Sequence, residues 1–157
     1  MSAPKLSRIL STIATRLAAI DGTGSYTTAI GNDVQRTRIA PVIDDVPCCI
    51  VYLDSRTAER KSSTGKTGVA ANLIIEGYVM RTGSDDEGQG IDVISDIQTA
   101  AEDPDDMNLS NLLLSQAGGM TWERDEILYP DKGESIVGGR VEYSIPHLRV
   151  HGDPEIA

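Results

Sequence analysis

Apolar and polar positions alternate most clearly in two stretches, Cys48 to Leu53 and Leu73 to Met80. In the first, Cys49, Val51 and Leu53 fall on one face and Cys48, Ile50 and Tyr52 on the other. In the second, Leu73, Ile75, Gly77 and Val79 oppose Ile74, Glu76, Tyr78 and Met80. A period of two over this length predicts strands. Neither run contains proline, so both suit the middle of a sheet. The residues between them are polar and basic, with Arg56, Arg60, Lys61 and Lys66 against one acid, Glu59. That stretch is too long for a tight turn and too polar to bury. The pattern predicts an antiparallel pair with a projecting basic loop over 55–68.

A period near 3.6 appears twice. From Pro4 to Ile20, the residues Leu6, Ile9, Leu10, Ile13, Leu17 and Ile20 form one stripe, predicting an amphipathic helix that Gly22 stops. From Ile91 to Ala101, the stripe is Ile91, Ile94, Ile97 and Ala101, helped by Val93 and Ala100, with Asp92 and Asp96 on the polar side. The acidic stretch before it, Asp85-Asp86-Glu87, reads as a solvated turn. Met107 to Gln116 offers a short helical turn through Leu109, Leu112 and Leu113. Val34 to Val42 reads as an edge strand and Met120 to Leu128 as a weak strand. Ile136 to Val150 is the strongest of the late strands, with Val137, Val141, Tyr143 and Ile145 on one face. Gly138 and Gly139 suggest a bulge or a close approach there. Pro146 marks the expected end of regular pairing and the start of an extended tail, 146–157. The sum is a single domain of the α+β class. It has a mainly antiparallel sheet of four or five strands, with helices packed on one face. The other face carries Ile50, Tyr52, Ile74, Tyr78 and Met80, so it needs a cover: the Leu109 segment or another subunit.

Composition sharpens this picture. The 157 residues contain no Phe and one Trp, so the core must rest on Ile, Leu, Val and Ala. The net charge of −10 disfavours general binding to nucleic acid. The charge is also uneven: Met1–Tyr78 holds 9 Lys/Arg and 7 Asp/Glu, Val79–Ala157 holds 5 and 17. Such asymmetry is more often that of acidic loops that keep a domain in solution; it also suits head-to-tail association, with one subunit's basic arm against its neighbour's acidic face. Cys48 and Cys49 are adjacent, and successive strand side chains point apart, so they read as free, buried thiols in a reducing compartment. No apolar run approaches the roughly 20 residues that span a bilayer, and the opening residues do not read as a signal peptide. The expectation is a soluble protein made in a cytoplasm, with no membrane partner.

Catalytic and ligand motifs are sparse. Gly65-Lys66-Thr67 resembles the end of a phosphate loop, but Arg60 stands where its first Gly belongs, and a strand rather than a helix follows. His147 and His151 lie four apart with Asp153 nearby, a spacing more often incidental than metal-binding. Asp85-Asp86-Glu87 and Asp103, Asp105, Asp106 lack the spacing and glycine of a calcium loop. No G-x-S-x-G is present, and neither cysteine has a positioned base. The chain reads as a non-enzyme without a cofactor. The basic residues Arg56, Arg60, Lys61 and Lys66 are candidates for contact with a subunit or another protein, and Asp85, Asp86 and Glu87 for the acidic surface they meet.

Taken in order, "LSRILSTIATRLAAI", "DDVPCCIVYL", the basic stretch, "LIIEGYVMRTG", "GIDVISDIQTAAED" and "GESIVGGRVEYSIPHLRVHGDPE" resemble the tail terminator (minor tail protein U-like) family of long-tailed bacteriophages. The resemblance runs from about Leu6 to Glu155 and rests on a pattern of segments. It implies an α/β fold whose mainly antiparallel sheet is flanked by helices. It also implies a homohexameric ring on the head-proximal end of a finished tail tube. That ring ends tube growth and offers a surface to a head completion or connector protein. The implied partners are further copies of the chain, the tail tube protein and the connector, and DNA passes through the lumen without specific binding. The implied location is the virion tail, after assembly in the host cytoplasm. A head-completion or connector protein of the same virion is the nearest rival, and a small acidic enzyme a more remote one.

Overall fold

The computed structural model describes residues 5–39, 41–61, 66–102 and 120–150. Two helices, α1 (Lys5–Leu17) and α2 (Asp86–Ala101), pack on a five-stranded sheet. The strands are β1 (Val34–Gln35), β2 (Cys48–Lys61), β3 (Lys66–Met80), β4 (Thr121–Leu128) and β5 (Ile136–Val150), in the order β1-β2-β3-β5-β4. All pairs are antiparallel except β1 with β2. The fold class is therefore α+β, as the pattern predicts.

The sheet reaches further than expected. Residues 55–61 and 66–68 are not loop: β2 and β3 pair from Cys48↔Tyr78 through Lys61↔Thr67, with irregularities at Leu53/Ser55 and Ala58/Arg60. Nor does pairing stop at Pro146, which lies opposite Ala70 while β5 follows β3 to Val150↔Lys66. β4 pairs with β5 only as far as Ser144, so among the described residues Pro146 has no neighbouring strand on that side, where proline is tolerated. The distal parts of β2, β3 and β5 thus form a three-stranded arm. The arm tip 62–65, the Leu109 segment, Asp103 to Asp106, His151 and Asp153 lie outside the described residues.

Three other boundaries move for identifiable reasons. After Leu17 the chain tightens, with Ala19 and Ile20 bonding three residues back. Gly31 rather than Gly22 closes this helix end. Its amide bonds Ile20 O at 2.8 Å, and a Cβ there would clash with Leu17 O and lie 2.6 Å from Ile20 O. α2 begins five residues early because Asp85, read as part of a solvated turn, caps it by accepting from Gly88 N at 2.9 Å. The expected edge strand 34–42 ends at Gln35. Thr37 Oγ1 accepts from Ile39 N, a local turn that competes with the ladder, and Arg38 swings over Tyr52.

The core lies between the helices and one sheet face. Ile9, Ile13 and Leu17 of α1 meet Cys49, Val51, Leu73, Ile75, Val141, Tyr143 and Ile145. From α2 come Val93, Ile94, Ile97, Ala100 and Ala101. Ile91, expected on the buried stripe, is half exposed, and Asp96, expected outside, is buried. The stripe is rotated so that Gly90 faces the sheet, where α2 comes closest. A Cβ on Gly139 would lie 3.0 Å from Gly90 O, and one on Gly77 would lie 2.7 Å from Val93 Cγ1. The pair Gly138-Gly139 is a close approach and not a bulge, because β3 and β5 pair without a register shift.

Asp96 accepts from the amides of Thr27 and Thr28 and from the Thr28 hydroxyl, at 2.6–3.1 Å, tying the loop after α1 onto α2. Arg16 donates to Ala101 O at 2.7 Å, setting a cation on the negative end of α2.

Gly31 faces backbone and Gly77 faces side-chain tips, so their alanine variants are expected to differ. Gly77→Ala should cost about 1–3 kcal/mol, as overpacking does. Gly31→Ala should cost more, because Leu17 O and Ile20 O cannot step aside. Urea denaturation of both variants measures the difference.

Candidate functional site

The sheet face away from the helices carries a charge ladder. Cross-strand register sets Glu76, Arg140 and Glu126 side by side on β3, β5 and β4. The next row sets Glu142 of β5 beside Arg124 of β4. Arg140 reaches Glu142 at 2.8 Å, Glu76 at 3.6 Å and Glu126 at 3.7 Å. Arg124 reaches Glu126 at 3.2 Å and Glu142 at 3.7 Å. Opposite charges on neighbouring strands of one face stabilise that register.

Glu76 is the buried member, only 8% exposed. The Tyr78 hydroxyl donates to it at 3.2 Å and that of Tyr52 at 3.5 Å. Burial, then the charge of Glu76, hold the Tyr78 phenol neutral well beyond its ordinary range. The Tyr52 phenol is raised for the same two reasons. The Arg38 guanidinium stacks 5.2 Å from the Tyr52 ring centre and pairs with Asp54 at 3.0 Å. Of the apolar residues expected on this face, Ile50 and Ile74 are buried, Tyr52 and Tyr78 half-buried, and Met80 exposed at 38%.

Beside the ladder, toward the arm, lies an open groove of about 380 Å³. Ser55, Thr57, Asn72, Ser144, Arg124 and Glu142 contribute to its walls. Three charged residues line it: Arg124 and Glu142 are paired with each other, and Glu123 is exposed. Arg140 Nε is buried without a hydrogen bond and faces Glu126 at 3.7 Å.

The residues singled out by the sequence sit at the two ends of this sheet. Arg56 is exposed on β2, the backbones of Arg60 and Lys61 end that strand, and Lys66 begins β3. Asp85, Asp86 and Glu87 start α2, just past the far end of β3. Asp85 is engaged as the helix cap, Asp86 pairs with Arg81 at 2.7 Å, and Glu87 is exposed. At about 3.3 Å per residue along β3, the acidic end lies roughly 30 Å from the level of Arg56 and roughly 45 Å from that of Lys66. They cannot meet within one subunit.

Cys48 and Cys49 are free and fully buried, on opposite sheet faces. Burial pushes the Cys48 thiol up to about 11 and the Cys49 thiol further, so neither forms a thiolate nucleophile at neutral pH. Among the described residues no three His, Cys, Asp or Glu side chains cluster to hold a metal. No described helix is long and apolar enough to cross a membrane. Residues 66–80 are strand, so no helix follows Gly65-Lys66-Thr67 to receive a phosphate.

The sequence missed the ladder. Glu76, Arg124, Glu126, Arg140 and Glu142 are far apart in the chain, and only the β3–β5–β4 register unites them. The available signal was a charged residue inside otherwise apolar strands, Glu76 above all. Comparison with protein-family models, and with curated proteins, returns no match to this chain.

Arg140 is the hub of the ladder, so Arg140→Met should destabilise the chain by about 2–3 kcal/mol by leaving Glu76 buried beside uncompensated carboxylates. Adding Glu76→Leu should recover at least half of that loss. A double-mutant cycle in urea measures the coupling, and additive effects would show that the pair is energetically idle.

Proposed function

We propose that this chain is a tail-terminator-like virion structural protein. In this reading it forms a hexameric ring on the completed tail tube, ends tube polymerisation, and presents a surface for the head. The observation that carries the reading is the three-stranded arm, which runs beyond the helix-covered part of the sheet and holds Arg56, Arg60, Lys61 and Lys66. The rest of the chain is acidic, and its exposed carboxylates include some at the other end of the sheet and on β4. An arm of one sign and a body of the other suit subunits that grip one another in one direction around a ring. The segment order described above supports the same assignment. Net negative charge suits a lumen through which DNA slides without adhering.

The reading is tested by supplying the protein to polymerising tail tubes and measuring tube length by electron microscopy. The wild-type chain should stop growth at one end and fix tube length. The variant with Arg56, Arg60, Lys61 and Lys66 all changed to Glu should melt within a few degrees of wild type and lose capping. Unrestrained tube growth in the presence of wild-type protein would overturn the assignment. A closed ring that binds portal-proximal particles but ignores tubes would favour the head-completion alternative.

A further inference from the structure

Among the described residues the sheet has two open edges, and they differ in charge. β1 covers β2 only at Cys49 and Ile50. From Ser55 to Lys61, β2 has β3 on one side and no described strand on the other. Asp54 to Thr57 are exposed. At the other side of the sheet, β4 has no described partner but β5, and Thr121 to Asp125 are exposed. Each edge offers a row of backbone donors and acceptors to an incoming strand. The lengths agree, with seven residues on β2 and eight on β4.

Charge selects which edge meets which. Ser55–Lys61 contains Arg56, Arg60 and Lys61 against Glu59. β4 contains Glu123, Asp125 and Glu126 against Arg124. Pairing either edge with its own kind brings together segments of the same net sign, two positive or two negative, which is unfavourable. Pairing β2 with β4 sets opposite charges together. Each edge is thus protected against its twin and open to the other, which makes the contact heterologous, the kind that closes a ring.

Direction and level agree as well. β2 and β5 run one way, β3 and β4 the other. A copy rotated about an axis along the sheet therefore presents β4 antiparallel to β2. Arg56 is opposite Ala71, and Asp125 opposite Val141, so both belong to the helix side of the sheet. Within one subunit Asp125 is level with Val51. Bringing it opposite a neighbour's Arg56 shifts the copies by about 15 Å along the strands, at about 3.3 Å per residue. Across four strands spaced about 4.8 Å apart, that stagger is a strand tilt of roughly 35–40°, within the range of closed barrels.

We propose that the Ser55–Lys61 edge of β2 is a docking site for β4 of a second copy of this chain, so that one sheet continues from subunit to subunit. The proposal rests on the ring reading above and adds the surfaces that build it. The test uses the full chain with Arg56→Cys combined, one at a time, with Thr121→Cys, Glu123→Cys or Asp125→Cys. Cys48 and Cys49 are buried and stay reduced. After oxidation, one of the three double variants should give a ladder of cross-linked species on a denaturing gel. Each single variant should give none, and a mixture of two complementary single variants should stop at dimers. In the wild-type protein, amide exchange over 55–61 should slow at least tenfold on assembly. Sedimentation velocity on the same samples separates the two ideas. A ring in which no double variant cross-links and 55–61 stays unprotected, or in which Arg56→Cys alone dimerises, overturns the edge pairing and leaves the ring. Protein that stays monomeric with and without tubes overturns both.

Discussion

The structure depends on how closely α2 approaches the centre of the sheet. Gly77 and Gly139 sit opposite one another on β3 and β5, and Gly90 of α2 comes down over Gly139. Side chains at these three positions would hold the helix off and open the core. On the opposite face, the adjacent row holds Glu76 beside Arg140. A slip of one residue between β3 and β5 would turn the charged pair into the core and the glycines out. The glycine row and the ion pair therefore specify the same register from two sides. That register carries the rest. It aligns the ladder with β4, lifts β5 past Pro146 to complete the arm, and sets the heights of the two open edges.

Much of this was legible in the sequence. The alternation at Cys48–Leu53, Leu73–Met80 and Ile136–Ile145 marks strands whose inward residues all reach the core, because burial on one face writes a period of two into the chain. The helical stripes mark α1 and α2 for the same reason. Misread segments were those where a local or cross-chain bond overrides the pattern. Asp85 looked solvated and is a cap. Asp96 looked exposed and is buried, because Thr27 and Thr28 from a distant loop satisfy its oxygens. The stretch around Arg56 looked like loop because it lacks large apolar residues. It is strand because β3 supplies its ladder, while Asp54 to Thr57 remain exposed. The ladder itself was illegible, since its members are united only by strand order.

Charge distribution connects the fold to the proposed role. Paired charges on the open face fix strands, while the basic sequence of the arm and the exposed acids of β4 lie at different parts of the sheet. An isolated subunit cannot bring the basic arm to the acidic turn at the start of α2, because the whole of β3 separates them. Association between copies can instead set the basic edge of β2 against the acidic edge of β4. A structural protein that assembles in a closed ring uses such an arrangement.

The assembly state of the wild-type chain tests this account most directly. Native mass spectrometry across a range of concentrations, alone and with tail tubes supplied, should show a discrete hexamer, either free in solution or recruited to tube ends. A chain that remains monomeric at every concentration and ignores tubes would contradict the account.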